Sequence, residues 1–231
     1  MKSLLRILSP LAIAAAVGAG TAFSQEKSVN PGINDSFQNP DPKTFVERFE
    51  KEGREVYDQR EAVVKTLGIQ PGTAIADVGA GTGLYTRLFA QATGPGGKVY
   101  AVDIAKTFVD HVLMTSKVRG LTNVEGVVCD PDNAKLPANS VDLAFICDTY
   151  HHFEFPEKTM RSILSALKPG GRLVLVDFER IEGKSSDWIL NHVRAGKEVF
   201  RSEVEASGFA FEKELKMFSE NYFLVFRKPA D

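Results

Sequence analysis

Five short apolar runs in this chain each end on an aspartate, and that recurrence constrains the fold more than any other feature. Ala74 to Ala76 runs into Asp77, Val99 to Val102 into Asp103, Val124 to Cys129 into Asp130, Leu143 to Cys147 into Asp148, and Leu173 to Val176 into Asp177. Runs without polar alternation suit strands buried on both faces, the environment of a parallel sheet. The interval from Asp77 to Asp103 holds a strand and a crossover helix, as a βαβ unit requires. Leu84–Ala92, Lys106–Arg119 and Glu157–Leu167 read as helices between the runs. Lys168-Pro169-Gly170-Gly171 is a stop and a turn. Asp187–Ala206 reads as one helix with Gly208 as its cap. Alternation in Phe209–Phe218 and Tyr222–Arg227, around Ser219-Glu220-Asn221, signals a hairpin. The expectation is an α/β chain: a doubly wound, mostly parallel, seven-stranded sheet with helices on both faces and an antiparallel C-terminal hairpin.

What precedes the sheet is of another kind. Lys2 and Arg6 flank an apolar run, Ile7 to Ala19, and Ala22-Phe23-Ser24 offers small residues where a signal peptidase reads. Residues 1–24 are therefore expected to be a secretion signal cut near Ser24/Gln25, which sends the chain to the periplasm without stable membrane insertion. The competing reading is an uncleaved anchor, for which the apolar run is short. No Cys follows that run to signal lipidation. Residues 25–42 are rich in Asn, Pro, Ser and Asp and read as an N-terminal arm. Residues 43–67 read as a helical cap opening the main domain, 43–231, with a break at Gly53. The formal net charge is −2, so the basic footprint of a nucleic-acid binder is missing.

The most informative segment is Asp77-Val78-Gly79-Ala80-Gly81-Thr82-Gly83, which leaves a strand and opens a helix. Glycines there permit a sharp turn and close approach of a ligand to the backbone. The dinucleotide fingerprint fails: counted from Gly79 its third glycine falls on Leu84, and counted from Gly81 on Thr86. The Walker pattern fails as well. Asp77 at the mouth of the turn would repel a pyrophosphate by roughly 4 kcal/mol at about 4 Å and an effective dielectric near 20, yet it suits an ammonium group. Asp103, about 20 residues beyond Gly83, stands where a carboxylate accepts both hydroxyls of a ribose. A ligand with an amino-acid end and a ribose satisfies both.

These residues resemble the motifs of class I S-adenosylmethionine-dependent methyltransferases. Asp77 to Gly83 is similar to the first motif and Val99-Tyr100-Ala101-Val102-Asp103 to the second-strand motif. Cys129-Asp130-Pro131, Leu136-Pro137 and Ser140-Val141-Asp142 resemble the third-strand loop and the lead into the fourth strand. Leu167 to Leu173 resembles the turn into the fifth. The resemblance runs from about residue 55 to 228 and implies S-adenosylmethionine as cofactor. It implies that Gly79, Ala80, Gly81, Thr82 and Gly83 admit the methionine part and that Asp77 serves the ammonium. Asp103 would hold the ribose, Asp130 the adenine amino group, and Ile104 and Pro131 the adenine faces. In the family order the third and fourth strands are not neighbours, so Cys129 and Cys147 are expected to be free, buried thiols.

The end of the fourth strand reads Cys147-Asp148-Thr149-Tyr150-His151-His152. Small-molecule members of the family often carry a similar His-rich stretch there. Methyl transfer needs alignment and exclusion of water, and a base only where the acceptor must lose a proton. His151 or His152 is the candidate base, and Tyr150 or Asp148 the group that orients the acceptor, with Asp148 also counted among the cofactor-binding positions. Neighbours leaving a strand point apart, so only one histidine is expected to face the site. Arg54, Glu55, Tyr57 and Arg60 are a second candidate wall, and His192 and Arg194 read as surface groups. A metal at His151 and His152 lacks a third ligand in this reading. The leading expectation is methyl transfer to a small molecule, with no nucleic-acid partner. The alternative is an exported binding protein that keeps the fold and the nucleoside site without catalysis, and the sequence leaves both open.

Overall fold

The computed structural model describes residues 25–230; the expected secretion signal, residues 1–24, lies outside the described residues. The elements run α1 (Pro42–Phe49), α2 (Glu55–Asp58), α3 (Arg60–Leu67), β1 (Ala74–Val78), α4 (Leu84–Thr93), β2 (Lys98–Asp103), α5 (Lys106–Val118), β3 (Val124–Val128), β4 (Val141–Cys147), α6 (Pro156–Ala166), β5 (Leu167–Phe178), α7 (Asp187–His192), α8 (Lys197–Ala206), β6 (Ala210–Leu215) and β7 (Asn221–Arg227). Among the described residues seven strands form one sheet, in the order β3-β2-β1-β4-β5-β7-β6. β1 to β5 pair in parallel, and β7 runs antiparallel between β5 and β6. The expected doubly wound α/β sheet with its antiparallel hairpin is borne out.

The uninterrupted apolar runs have the cause inferred for them. Alternate residues of each central strand feed two cores. Ala76, Val78, Ala144, Ile146, Leu173 and Leu175 pack on one face with Met160 and Ile163 of α6 and Phe200 and Val204 of α8. Ile75, Leu143, Phe145, Val174 and Val176 pack on the other with Val63 and Leu67 of α3 and Tyr85 and Phe89 of α4. Each fully buried large side chain contributes about 1.5–3 kcal/mol, so the runs of the central strands must be apolar at consecutive positions; β3, expected to be buried on both faces as well, is instead an edge strand with Glu125 and Val128 exposed. Cys129 follows β3 and Cys147 ends β4, with β2 and β1 between them. Three strand spacings of about 4.8 Å hold them far beyond bridging distance, and both thiols are free, though half-buried rather than fully buried.

Three expectations change. The helix read over Asp187–Ala206 is two helices. Val193 is extended and buried, and Arg194 turns inward to pair with Glu203 before Gly196 caps α8. The stop at Lys168–Gly171 is a bulge inside β5: Val141 pairs with Leu167 and Leu143 already with Arg172. The cap is three helices, with Gly53 at φ +87° between α1 and α2.

The cap is held to the sheet through α4. The Arg87 guanidinium donates to both Glu50 carboxylate oxygens, at 2.7 and 2.8 Å, and to the Thr82 carbonyl at 2.7 Å. Both side chains are largely buried (7% and 14% exposed). Arg87→Ala leaves Glu50 unpaired. We expect a loss of about 2–3 kcal/mol, below the 3–5 of a fully buried pair because Glu50 keeps some solvent. Urea unfolding measures it; a loss under about 0.5 kcal/mol contradicts the role.

Candidate active site

The strand order reverses between β1 and β4, and the carboxyl ends of the strands open there into a cavity of about 630 Å³. That is the size of a small-molecule site at the expected switch point. The arm and α1 roof it. Asn34 Nδ2 donates to the His152 carbonyl at 3.0 Å, and the Val29 amide to the Glu154 carbonyl at 2.9 Å. Phe37 packs against Phe45, Phe108 and His152.

One end of the cavity is built by the glycine turn. Gly79, Gly81 and Gly83 all have positive φ (+75°, +53° and +83°). A Cβ at Gly79 would lie 2.1 Å from Thr149 Cγ2, and one at Gly83 2.7 Å from Val112 Cγ2. The amides of Gly79 and Ala80 donate to the Val102 carbonyl, and that of Gly81 to Asp103 Oδ2 at 2.9 Å. The glycines thus let the turn pack directly on Thr149 and Val112, and its first three amides are spent inside the fold. Thr82 is buried, its hydroxyl on Glu50.

Two carboxylates flank this turn. Asp77 is 3% exposed and accepts from Thr86 Oγ1 at 2.5 Å; burial pushes it up to about 7. Asp103 is 7% exposed and accepts from the Gly81 and Ala105 amides; burial pushes it up to about 6. Ile104 and Pro131 line the cavity beside it. Asp130 sits at the rim with its side chain half exposed, in an ion pair with Lys135 at 2.6 Å.

Asp148 and Tyr150 differ from expectation. Asp148 has φ +48°, and its oxygens accept from Arg54 Nη2 at 2.7 Å and Asn221 Nδ2 at 2.6 Å. Its carboxylate clamps the cap to the sheet while lining the cavity. Arg54 lines the cavity from the candidate second wall, while Glu55 accepts from the Ser219 and Glu220 amides and Arg60 covers the Tyr57 ring. Tyr150 is turned into the core beside Phe200 and donates to Glu203 Oε2 at 3.0 Å. It does not face the cavity, so its assignment as an orienting group is corrected.

Both histidines do face it, against the expectation of one. The chain leaves β4 in a 3-10 turn, Tyr150–His152, where neighbours point about 120° apart instead of to opposite faces. His151 is 1% exposed, and its Nδ1 lies 2.8 Å from Oδ1 of fully buried Asp177. Burial alone lowers the His151 pKa, but Asp177 outweighs it and the net direction is up. Burial, then the neighbouring His151 and His192, push His152 down to about 3. His192, read as a surface group, joins them: its Nε2 is 3.3 Å from His152 Nε2, and Trp188 stacks on its ring. The available signal was the spacing of Trp188 and His192, four apart on one short helix, which sets both on the same face.

Comparison with known proteins agrees with this geometry. Residues 76–175 match the family described as "Methyltransferase domain". The ubiquinone/menaquinone biosynthesis C-methyltransferase UbiE of Ectopseudomonas mendocina is 33% identical over 120 residues, which are 51% of this chain and 46% of that protein. The chain thus spans about half the length of the curated relatives it matches. A SAM-dependent methyltransferase from Aquifex aeolicus superposes with a TM-score of 0.72 at 25% identity, over 82% of this chain and all of that one (100%). An S-adenosylmethionine-dependent methyltransferase from Mesorhizobium loti superposes with a TM-score of 0.60 at 17% identity, over 76% and 99%, and shows the shared fold. Residues 76–175 thus match a methyltransferase-domain family, and the seven-stranded sheet around them has the fold of the S-adenosylmethionine-dependent methyltransferases on which it superposes.

Proposed function

We propose that the protein transfers a methyl group from S-adenosylmethionine to a small molecule bound in the aromatic half of the same cavity, and that it does so after export, as a chain beginning near Gln25. The observation that carries the reading is the pairing, in one cavity, of a closed glycine turn between two buried carboxylates with a wall of histidine and aromatic rings. The residues fit the cofactor. Gly79 and Gly81 line the cavity with backbone that carries no side chain, and Asp77 and Asp103 supply an anion for an ammonium and acceptors for a ribose. When bound, the cofactor supplies a methyl group already activated on a sulfonium.

The rest falls to the chain. Ile104 and Pro131 offer apolar contact to an adenine. Phe37, Phe45 and Phe49 exclude water from the reacting end. His151, backed by Asp177, stands where an acceptor's proton is removed. Phe37, Phe45, Phe49 and Trp188 give the cavity aromatic rings, which favours an aromatic acceptor, while Arg48, Lys51 and Arg54 line it from the cap. Export is supported by the leader pattern of residues 1–24.

The test is incubation of the purified protein with methyl-labelled cofactor and low-mass fractions of its native extract. Label in a small product, with demethylated cofactor in equal amount, is expected. Binding of cofactor with no transfer to any fraction overturns the proposal in favour of a non-catalytic binding protein.

Asp77 gives the reading a pH signature. An ammonium needs the carboxylate form, so cofactor affinity falls as pH drops below about 7, by up to about tenfold per unit. The effect on stability has the opposite sign. The folded pKa lies above the unfolded value, so this contribution is complete below about 3.9 and is lost as pH rises through about 7. Asp103, raised to about 6, acts in the same direction. Calorimetry and urea unfolding between about pH 5.5 and 8 read both slopes. Asp77→Asn flattens the affinity profile; an unchanged profile in that variant contradicts the assignment.

A further inference from the structure

We propose that His151, His152 and His192 together hold a divalent transition-metal ion, Zn²⁺ first, with an open coordination position facing the cavity. One ring nitrogen from each of the three lies within 4.8 Å of the others. The His152 and His192 Nε2 atoms stand 3.3 Å apart, which is about the separation of two ligands on a tetrahedral ion with bonds of about 2.0–2.1 Å. Two imidazole nitrogens meeting tip to tip satisfy each other only if one carries the proton. An ion between them uses both lone pairs.

The surroundings are those of a metal site. The His151 Nδ1 is held by Asp177, the carboxylate–histidine arrangement that fixes the tautomer and turns Nε2 toward a metal. The His152 Nδ1 is buried and meets no partner at hydrogen-bond geometry. Its ring is set by Phe37 and that of His192 by Trp188, while Phe178 packs against both His151 and Trp188. Rotamers locked by packing hold three ligands ready without an ion to organise them. Three imidazoles and one vacant position match catalytic rather than structural zinc. The ligands come from two separate parts of the chain, the turn after β4 and helix α7, so the ion would also fix α7 against the sheet.

The vacant position defines an acceptor class, a step that rests on the methyltransferase reading. With the ion bound, His151 is a ligand and no longer the base: a hydroxyl or thiol ligated at the vacant position releases its proton to solvent and stands as oxyanion or thiolate in the cavity that holds the cofactor residues. Acceptors bearing an enol, phenol or thiol are expected over amines, whose single lone pair would be taken up in the bond to the ion.

The experiment strips the purified protein with chelator and titrates it with cobalt(II), reading visible d–d bands, then displaces the cobalt with Zn²⁺. A single tight ion per chain is expected. His192→Ala, at the cavity rim, should keep the native circular dichroism and lose at least about tenfold in metal affinity. His111→Ala, on α5 and away from the cavity, should bind as the parent does. A folded parent that takes up no cobalt, or equal binding by His192→Ala, overturns the proposal. S-adenosylhomocysteine is titrated into the same samples. Metal uptake without nucleoside binding refutes the methyltransferase reading and leaves the ion site standing; nucleoside binding without metal uptake refutes the ion site alone.

Discussion

Gly79→Ala is expected to weaken S-adenosylhomocysteine binding by at least about 100-fold, roughly 2.7 kcal/mol, and to lower stability by about 2–4 kcal/mol. Two costs combine. The φ of +75° is a left-handed conformation that an alanine adopts at about 1–2 kcal/mol. The new Cβ would also sit 2.1 Å from Thr149 Cγ2 and 2.7 Å from Thr149 Cβ. Thr149 cannot simply rotate away, because its hydroxyl donates to the Cys147 carbonyl at 2.9 Å. Either the glycine turn or the loop carrying the histidines must move, and both line the cavity. Gly72→Ala is the control. Its φ is +87°, but its Cβ meets nothing within 4 Å. It should lose only about 1 kcal/mol of stability and bind normally. Equal binding by the two variants would show that the turn is structural only.

Asp103→Ala should weaken nucleoside binding by about 30- to 100-fold, the worth of hydrogen bonds from two hydroxyls to a charged group. It also orphans the Gly81 and Ala105 amides, so the turn loses one of its ties to β2 and stability falls by about 1–3 kcal/mol. Asp103→Asn keeps an acceptor and should fall between. Asp130→Ala is expected to change affinity by no more than about threefold, because its carboxylate is half exposed and already paired with Lys135. Calorimetry across the series ranks them; an Asp130 effect larger than the Asp103 effect would reverse the roles assigned along the cavity.

The parts of this architecture visible in sequence are those where burial dictates residue type. Strands packed on both faces must be apolar at every position, so β1, β2, β4 and β5 could be read directly, and the residue at each carboxyl end came with them. Asp77 and Asp103 were legible for that reason, and Gly79 and Gly83 because their φ and the lack of space for a Cβ exclude other residues. The clamp between Arg54 and Asp148, the Glu50–Arg87 pair and the packing of Phe37 on His152 were not legible. Each joins residues distant in sequence whose partners are fixed by tertiary packing. His192 was hidden by a local error. A continuous helix over Asp187–Ala206 would present a different face, and the break at Val193–Gly196 arises from Arg194 reaching Glu203. Tyr150 shows the converse: its type and position suit a site, but the 3-10 turn after β4 carries its ring into the core.

The proposed activity requires recognition of a cationic amino-acid nucleoside by Asp77, Asp103 and the turn between them. Isothermal titration of the purified protein with S-adenosylhomocysteine and, separately, with a pyrophosphate-bearing dinucleotide tests it most directly. Saturable binding of one S-adenosylhomocysteine per chain, with no heat from the dinucleotide, is the predicted result. Silence toward S-adenosylhomocysteine up to about 0.1 mM, or preference for the dinucleotide, would contradict it.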